Sequence, residues 1–217
     1  MFIGHWAPAL AAAGHRKAPR PWVLFLAAQL VDVAFFTFVL LGVEDMRIEP
    51  GATVMNPMDL YHMPYTHSLL GTLGWAAALA VLVWLALRDR FSAMLVGAVA
   101  VSHWLLDLLV HRPDLTLAGS PPKLGLGLWN HPWVEIPLEL GITGAALWWY
   151  ARRTRGPRLP LVALAVLLLA MQAVNWLGEQ PAAMSAELPV TALVAYAVAI
   201  AAAWWLGTSR LMREAEG

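Results

Sequence analysis

The sequence contains six long apolar segments, and these constrain the fold more than any other feature. Hydrophobic residues make up 60% of the 217 positions and charged residues only 13%. A helix needs about 20 apolar residues to cross about 30 Å of hydrocarbon. The segments of that length are residues 21–43, 66–87, 91–110, 132–150, 159–178 and 189–207. They predict an all-α, polytopic membrane protein with about six transmembrane helices.

The first 14 residues are also apolar, but they are too few to cross a membrane. They lack the positive start and the cleavage site of a secretion signal, and we expect a short N-terminal half-helix or re-entrant segment. The whole chain, residues 1–217, is expected to form a single integral-membrane domain. Residues 1–150 would carry the metal-site helices described below, and residues 151–217 two scaffold helices.

Basic residues are distributed unevenly between the connections. Of the 14 lysines and arginines, those in alternate loops are Arg16, Lys17, Arg20, Arg88, Arg90, Arg152, Arg153, Arg155, Arg158, Arg210 and Arg213. Because positive loops stay on the cytoplasmic side, both ends of the six-helix core are expected to be cytoplasmic. The connections 44–65 and 111–131 would then face the periplasm from a bacterial inner membrane. The formal net charge of zero gives no indication of a nucleic-acid partner.

Three polar side chains are predicted on one face of the third helix. His103, Asp107 and His111 follow one another at four-residue spacing, and at about 100° per residue such a series forms a polar stripe. Ionisable residues in hydrocarbon are costly and are functional candidates by default. Imidazole and carboxylate groups are ligands of divalent metals, although a proton relay or helix packing would also use them.

Other residues with metal-ligating side chains are predicted at a similar depth. Asp32 lies near the middle of the first span, and His67 lies at the outer start of the second. His5 precedes Arg16 by 11 residues, about 16 Å of helix, which brings it to mid-membrane depth. The further candidates at the outer side are His62, His131, Glu135 and Glu139. One shared site explains this coincidence better than separate roles.

Each residue alone has a simpler interpretation. A lone intramembrane histidine such as His5 more often bonds a backbone carbonyl or packs between helices, and Asp32 could be a neutral acid or part of a proton relay. A solvated helix end or the membrane interface is the alternative position for His62, His111, Glu135 and Glu139. The outward Arg112 and Lys123 could attract a phosphate or only solvate a loop.

Four segments resemble the YdjM-like family of inner-membrane metal-dependent hydrolases. They are FIGHWAPAL at 2–10, AAQLVDV at 27–33, HMPYTHS at 62–68 and SHWLLDLLVHRPD at 102–114. The resemblance covers about residues 1–150. The order of ligand types is also similar to that of zinc-dependent phospholipase C and the P1-type nucleases, which hold three zinc ions on a helical core.

The resemblance implies a site for one to three divalent ions, with zinc as the expected metal. Its ligands would be His5, Asp32, His67, His103 and Asp107, with Asp107 as the bridge between two ions. His131 and Glu135 would supply a later His-x-x-x-Glu pair, with His62 and His111 as additional ligands. The candidates for a catalytic carboxylate are Asp32, Asp107, Glu135 and Glu139.

The expected activity is hydrolysis of a phosphoester, either a small molecule or lipid-linked, at a site that opens to the periplasm among membrane lipids. The alternative is a non-enzymatic transporter, or a proton or metal-ion conduit, that uses the same His/Asp cluster. Small residues along 195–203 suit close helix packing, and a homodimer contact is one use for them.

Overall fold

The computed structural model describes residues 1–213, which form a bundle of seven α-helices. The helices are α1 (Trp6–Ala13), α2 (Pro21–Leu40), α3 (Leu69–Leu87), α4 (Arg90–Val110), α5 (Pro132–Arg153), α6 (Leu159–Leu177) and α7 (Glu187–Ser209). The short strands are β1 (Asp45–Ile48), β2 (Met58–His62), β3 (Leu115–Thr116), β4 (Lys123–Leu124), β5 (Thr154–Arg155) and β6 (Leu211–Met212). Two 3-10 turns, Ile3–His5 and Leu128–Asn130, precede α1 and α5.

Five helices are long and apolar enough to cross a membrane, namely α2, α3, α4, α6 and α7. Helix α5 has 22 residues, about 33 Å, but it includes two glutamates and two arginines. The protein is therefore an all-α polytopic membrane protein, as the apolar segments predict. That α5 forms the sixth span stays a prediction.

Local sequence signals set the helix boundaries. Pro21 and Pro132 occupy the first position of α2 and α5. A residue at this position makes no intrahelical hydrogen bond through its N–H group, so proline, which lacks that group, fits there at no cost. Ser68 caps α3, because its Oγ accepts a hydrogen bond from the amide of Gly71 at 3.0 Å. Helix α2 ends at Leu40, three residues before the predicted boundary, and the chain turns at Gly42 with φ +67°.

Helices α2 and α4 form the centre of the bundle. In their most apolar stretches, 50% and 44% of residues are buried, against 17% in α3 and 22% in both α6 and α7. The N-terminal segment lies inside this bundle, where α1 contacts α2, α4 and α5, and Trp6 and Leu10 are fully buried. This confirms the predicted N-terminal half-helix.

Strands β1–β4 cover one end of the bundle, which we call the outer end. There β1 pairs with β2 and β3 with β4, both antiparallel. Arg47 Nε lies 2.6 Å from Asp59 Oδ2, and Arg112, just after α4, bonds the same carboxylate. At the opposite end β5 pairs with β6, and the buried Arg210 donates to the carbonyl groups around Thr154.

Candidate metal centre

Six of the predicted metal ligands converge near the outer end of the bundle. The 3-10 turn before α1 presents one, α2 one, the segment before α3 one and α4 with its C-cap three. In chain order they are His5, Asp32, His67, His103, Asp107 and His111. The predicted convergence of distant segments at one depth is therefore present in the fold.

Asp107 lies at the middle of the polar stripe of α4. Its Oδ2 lies 3.0 Å from His103 Nε2, one turn earlier, and its Oδ1 lies 3.5 Å from His111 Nε2, one turn later. His111 keeps the helical register because its amide bonds the Asp107 carbonyl at 2.8 Å. The two oxygens of one carboxylate thus face two different histidines.

The first group of ligand atoms surrounds the Oδ2 side of Asp107. His67 Nε2 lies 3.6 Å from that oxygen and 3.3 Å from Asp32 Oδ1. Asp32 Oδ1 is also 3.5 Å from His103 Nε2. Asp32, His67 and His103 have the spacing of a metal-binding triad, with Asp107 as a fourth side chain beside it.

The second group surrounds Oδ1 of Asp107. His5 Nε2 lies 3.0 Å from this oxygen, and the amino group of Met1 lies 3.5 Å from it. The His5 ring stacks on the His103 ring with 3.8 Å between centroids. His5, His103 and Asp107 form a second triad of buried side chains that could hold a metal ion, and this triad shares His103 with the first. With His103 bound to an ion on the Oδ2 side, an ion on the Oδ1 side would have His5 and His111 as its histidines.

Hydrogen bonds fix the ring orientation of two α4 histidines. Nδ1 of His103 lies 2.8 Å from the carbonyl oxygen of Ala28, so Nδ1 carries a proton and donates it to that carbonyl, while Nε2 faces Asp107. Nδ1 of His111 lies 2.8 Å from Asp114 Oδ1. Metal-bound histidines usually have such a partner for their second nitrogen, because it orients the ring and makes it more basic.

A relay of three residues orients His67 in the same way. Thr66 Oγ1 donates to Glu44 Oε2 at 2.6 Å and accepts from Nδ1 of His67 at 2.9 Å. Glu44 is buried, and its Oε1 accepts from the amides of Tyr65 and Thr66. The loop before α3 is therefore built around the placement of one imidazole.

Replacing Thr66 with valine is expected to weaken metal binding by about 10–100-fold, because His67 loses the acceptor for its Nδ1 proton. Competition with a chromophoric chelator measures this affinity. Thr37→Val is the matched control, since Thr37 Oγ1 bonds only the Val33 carbonyl within its own helix. Equal affinities in the two variants would contradict the orienting role.

The spacing of these atoms fits a divalent cation. Ligand atoms about 2.1 Å from a tetrahedral ion lie about 3.4 Å from one another, and the N–O distances here are 3.0–3.6 Å. His103 Nε2 and Asp107 Oδ2 are buried and lack a hydrogen bond of acceptable geometry. Unpartnered buried polar atoms are costly, and a cation would satisfy both.

The electrostatic potential at the outer edge of the cluster is negative. Burial lowers the pKa of His111, but the carboxylates of Asp107 and Asp114 outweigh burial and raise that pKa to about 9. The same potential attracts a divalent cation. Histidine binds metals in its neutral form, so an ion at Nε2 would replace the proton held there.

Two residues of the predicted scaffold helices bond carboxylates in or near the cluster. Tyr196 of α7 donates its hydroxyl to Asp32 Oδ2 at 3.1 Å, and Gln29 donates to the same oxygen at 3.1 Å. These bonds leave Asp32 Oδ1 directed at the histidines. Gln172 of α6 donates to Glu139 Oε2 at 3.0 Å. In the sequence, Tyr196 and Gln172 stand out only as polar residues within apolar helices. That signal alone does not assign either residue a role at the site.

Glu139 holds the N-terminal segment rather than the metal-ligand atoms. Its Oε1 accepts hydrogen bonds from the amides of Phe2 and Gly4, at 2.6 and 2.9 Å. Gln172 Oε1 adds a bond from the amide of Ile3 at 3.3 Å. Both oxygens of Glu139 are thus occupied, and they fix the turn that presents His5.

A cavity of about 740 Å³ adjoins the cluster. His67, Asp107 and His111 line it, together with Glu135 and Trp129. Glu135 is buried on α5, one turn before Glu139, and its Oε2 has no hydrogen-bond partner. The cavity therefore brings a carboxyl group with one unpartnered oxygen and the ligand cluster to one space large enough for a small molecule.

The structure does not bring His62 or His131 to the cluster, although both were predicted as ligands. His62 ends β2 and is exposed, while Leu60 and Met63 beside it are buried. His131 precedes Pro132 with φ −128° and ψ 68°, so its backbone is not helical, and it is exposed whereas Glu135 is buried. The predicted His-x-x-x-Glu pair therefore does not come together at one site.

The chain thus has membrane-spanning helices and a buried His/Asp cluster that could hold a metal ion. Comparison with protein-family models, curated proteins and solved structures finds no match to this chain.

Proposed function

We propose that this protein is an integral-membrane, metal-dependent hydrolase of phosphoesters that holds two divalent ions, with zinc as the expected metal. The position of Asp107 carries this proposal. Its Oδ1 faces His5 and His111, and its Oδ2 faces His67 and His103. A carboxylate so placed suits a bridge between two ions, which is the arrangement found in many phosphoesterases.

The residues of the cavity suit this chemistry. Two bound ions supply positive charge that activates water and stabilises the oxygens of a phosphoester during displacement. Glu135 is the proposed proton acceptor, because its Oε2 is free and it lines the same cavity as Asp107. Asp32 serves as a ligand, since Tyr196 and Gln29 occupy its second oxygen.

The setting follows from the charge bias and the motifs. We place the site on the periplasmic side of a bacterial inner membrane, with both ends of the helical core in the cytoplasm and with the family resemblance to YdjM-like hydrolases as support. A conduit is less well supported, because the core below the cluster is apolar. It contains Leu10 of α1, Phe25 of α2 and Val96 of α4, all fully buried.

Purified protein loaded with zinc or manganese is expected to hydrolyse a generic phosphodiester such as bis-p-nitrophenyl phosphate, and a chelator should stop the reaction. Glu135→Gln should lower kcat by about 10²–10⁴-fold while the metal content stays unchanged, because it removes only the proton acceptor. Atomic emission spectrometry measures the ions per chain. Glu179→Gln, at the edge of the same cavity, is the matched control.

Bound metal without turnover of any phosphoester, together with metal uptake into vesicles containing the protein, would favour transport instead. Loss of metal from Glu135→Gln would make Glu135 a ligand and contradict its role as proton acceptor.

A further inference from the structure

The cavity next to the metal centre is also lined by α6, α7 and α2, and we call this mostly apolar side of it the arm. The polar residues on the α6/α7 side are Asn175, Glu179, Gln180, Ser185, Glu187 and Thr191. Met171 and Val174 of α6 line the arm from one side, and Leu188, Ala192 and Ala195 of α7 from another. Phe35 and Phe36 of α2 also line the cavity, and both are buried. The α7 stretch from Leu188 to Ala195 covers about 10 Å along the helix axis.

The two halves of α6 and α7 differ in packing. In the inner halves Leu164, Leu168, Ala199 and Ala203 are fully buried and belong to one hydrophobic core. In the outer halves the corresponding positions line the cavity. A space between α6 and α7 is thus present at the depth of the metal centre.

The arm is open toward the surroundings of the bundle. Val174 lines the cavity and is nevertheless 72% exposed. Both helices beside the arm are long and apolar enough to cross a membrane. In a membrane, hydrocarbon would surround them at this depth, and a lipid chain could then enter from the side.

Tyr196 marks the junction between the arm and the metal centre. Its ring lines the cavity, and its hydroxyl bonds Asp32 at 3.1 Å. A molecule in the arm would therefore place one end within reach of the metal ligands. The opposite end would lie among apolar side chains.

From this continuity we infer that the substrate is a membrane lipid whose hydrocarbon chain occupies the arm while its phosphoester lies at the metal centre. The inference rests on the proposed phosphoesterase function and adds the substrate class to it. Apolar surface in the arm contributes binding energy for a long chain and none for a water-soluble ester. The width of the arm at Ala192 and Ala195 sets which chains fit.

Substituting Ala195→Trp tests the inference, because the indole fills the arm without touching a metal ligand. The expected result is a kcat/KM lower by about tenfold or more on a long-chain phospholipid in mixed micelles. Turnover of bis-p-nitrophenyl phosphate and the metal content should match the wild type. Ala192→Leu, a smaller change in the same arm, should give a smaller loss.

Val194→Trp is the matched control, since Val194 lies on the same helix, is exposed and does not line the cavity. Equal loss on the lipid and on the soluble ester would overturn the inference, as would no loss on the lipid. If the wild type hydrolyses neither substrate although it holds its ions, the proposed function itself fails. Turnover of the soluble ester with no turnover of lipid leaves that function standing and refutes the arm as a chain site.

Discussion

Replacing Asp107 with alanine is expected to remove both ions from the purified protein and to reduce phosphoester hydrolysis to the rate without enzyme. The reason is geometric, since each oxygen of this carboxylate lies 3.0 Å from a different histidine nitrogen, Oδ1 from His5 and Oδ2 from His103. Loss of a bridging ligand weakens both positions at once. Loss of a residue that only hydrogen-bonds a metal ligand already lowers metal affinity by about 10–100-fold, and loss of a direct ligand should lower it further.

The measurement is the number of ions per chain after gel filtration, together with the rate on a soluble phosphodiester. Asp107→Asn keeps the shape of the side chain, so it shows whether a loss of ions in Asp107→Ala is due to misfolding. We expect Asp107→Asn to retain at most one ion. Asp45→Ala, on the exposed strand β1, is the control that should keep both. Two ions in Asp107→Ala would refute the bridging arrangement.

Much of the architecture could be predicted from the sequence, because long apolar segments have few alternatives in a membrane. Five of the six predicted spans appear as helices that meet the requirements for crossing. The predicted helix boundaries differ from the observed ones by a few residues. The differences arise where the backbone conformation ends a helix, as at Gly42 after α2, because hydropathy does not depend on backbone conformation.

The core of the site could be predicted as well, because helical spacing places His103, Asp107 and His111 on one face. The depth argument also brought His5 and His67 to the correct level. It failed for His131, since a four-residue spacing has meaning only inside a helix and α5 begins at Pro132. It failed equally for His62, which lies in a strand.

Contacts that depend on how helices face one another were not available from the sequence. Tyr196 and Gln172 reach the cluster only because α7 packs on α2 and the N-terminal 3-10 turn packs between α5 and α6. Glu44 and Thr66 required the conformation of a loop of about 20 residues. A single sequence gives least information about such residues, which hydrogen-bond the candidate metal ligands without binding metal themselves.

Replacing Glu139 with alanine is expected to remove one ion and keep the other. The amides of Phe2 and Gly4 lose their acceptor, and each unpartnered buried amide costs about 1–3 kcal/mol, so the free energy of unfolding should fall by about 3 kcal/mol. The turn that presents His5 then loses its anchor, and the group at Asp107 Oδ1 loses a ligand. The group of Asp32, His67 and His103 contains no residue of that turn.

Glu139→Gln separates this positioning role from catalysis, because the amide oxygen still accepts the two N–H groups of the turn and only the bond from Gln172 is lost. If Glu139 positions His5, the glutamine variant should hold both ions and keep its activity within about tenfold of the wild type. If Glu139 were itself the proton acceptor, that variant would hold both ions and lose about 10²–10⁴-fold in kcat. Thermal unfolding and ions per chain, measured for the alanine and glutamine variants side by side, decide between the two roles. The geometry favours positioning, since Gln172 occupies Oε2 and the turn occupies Oε1, whereas Oε2 of Glu135 has no hydrogen-bond partner and is the better proton acceptor.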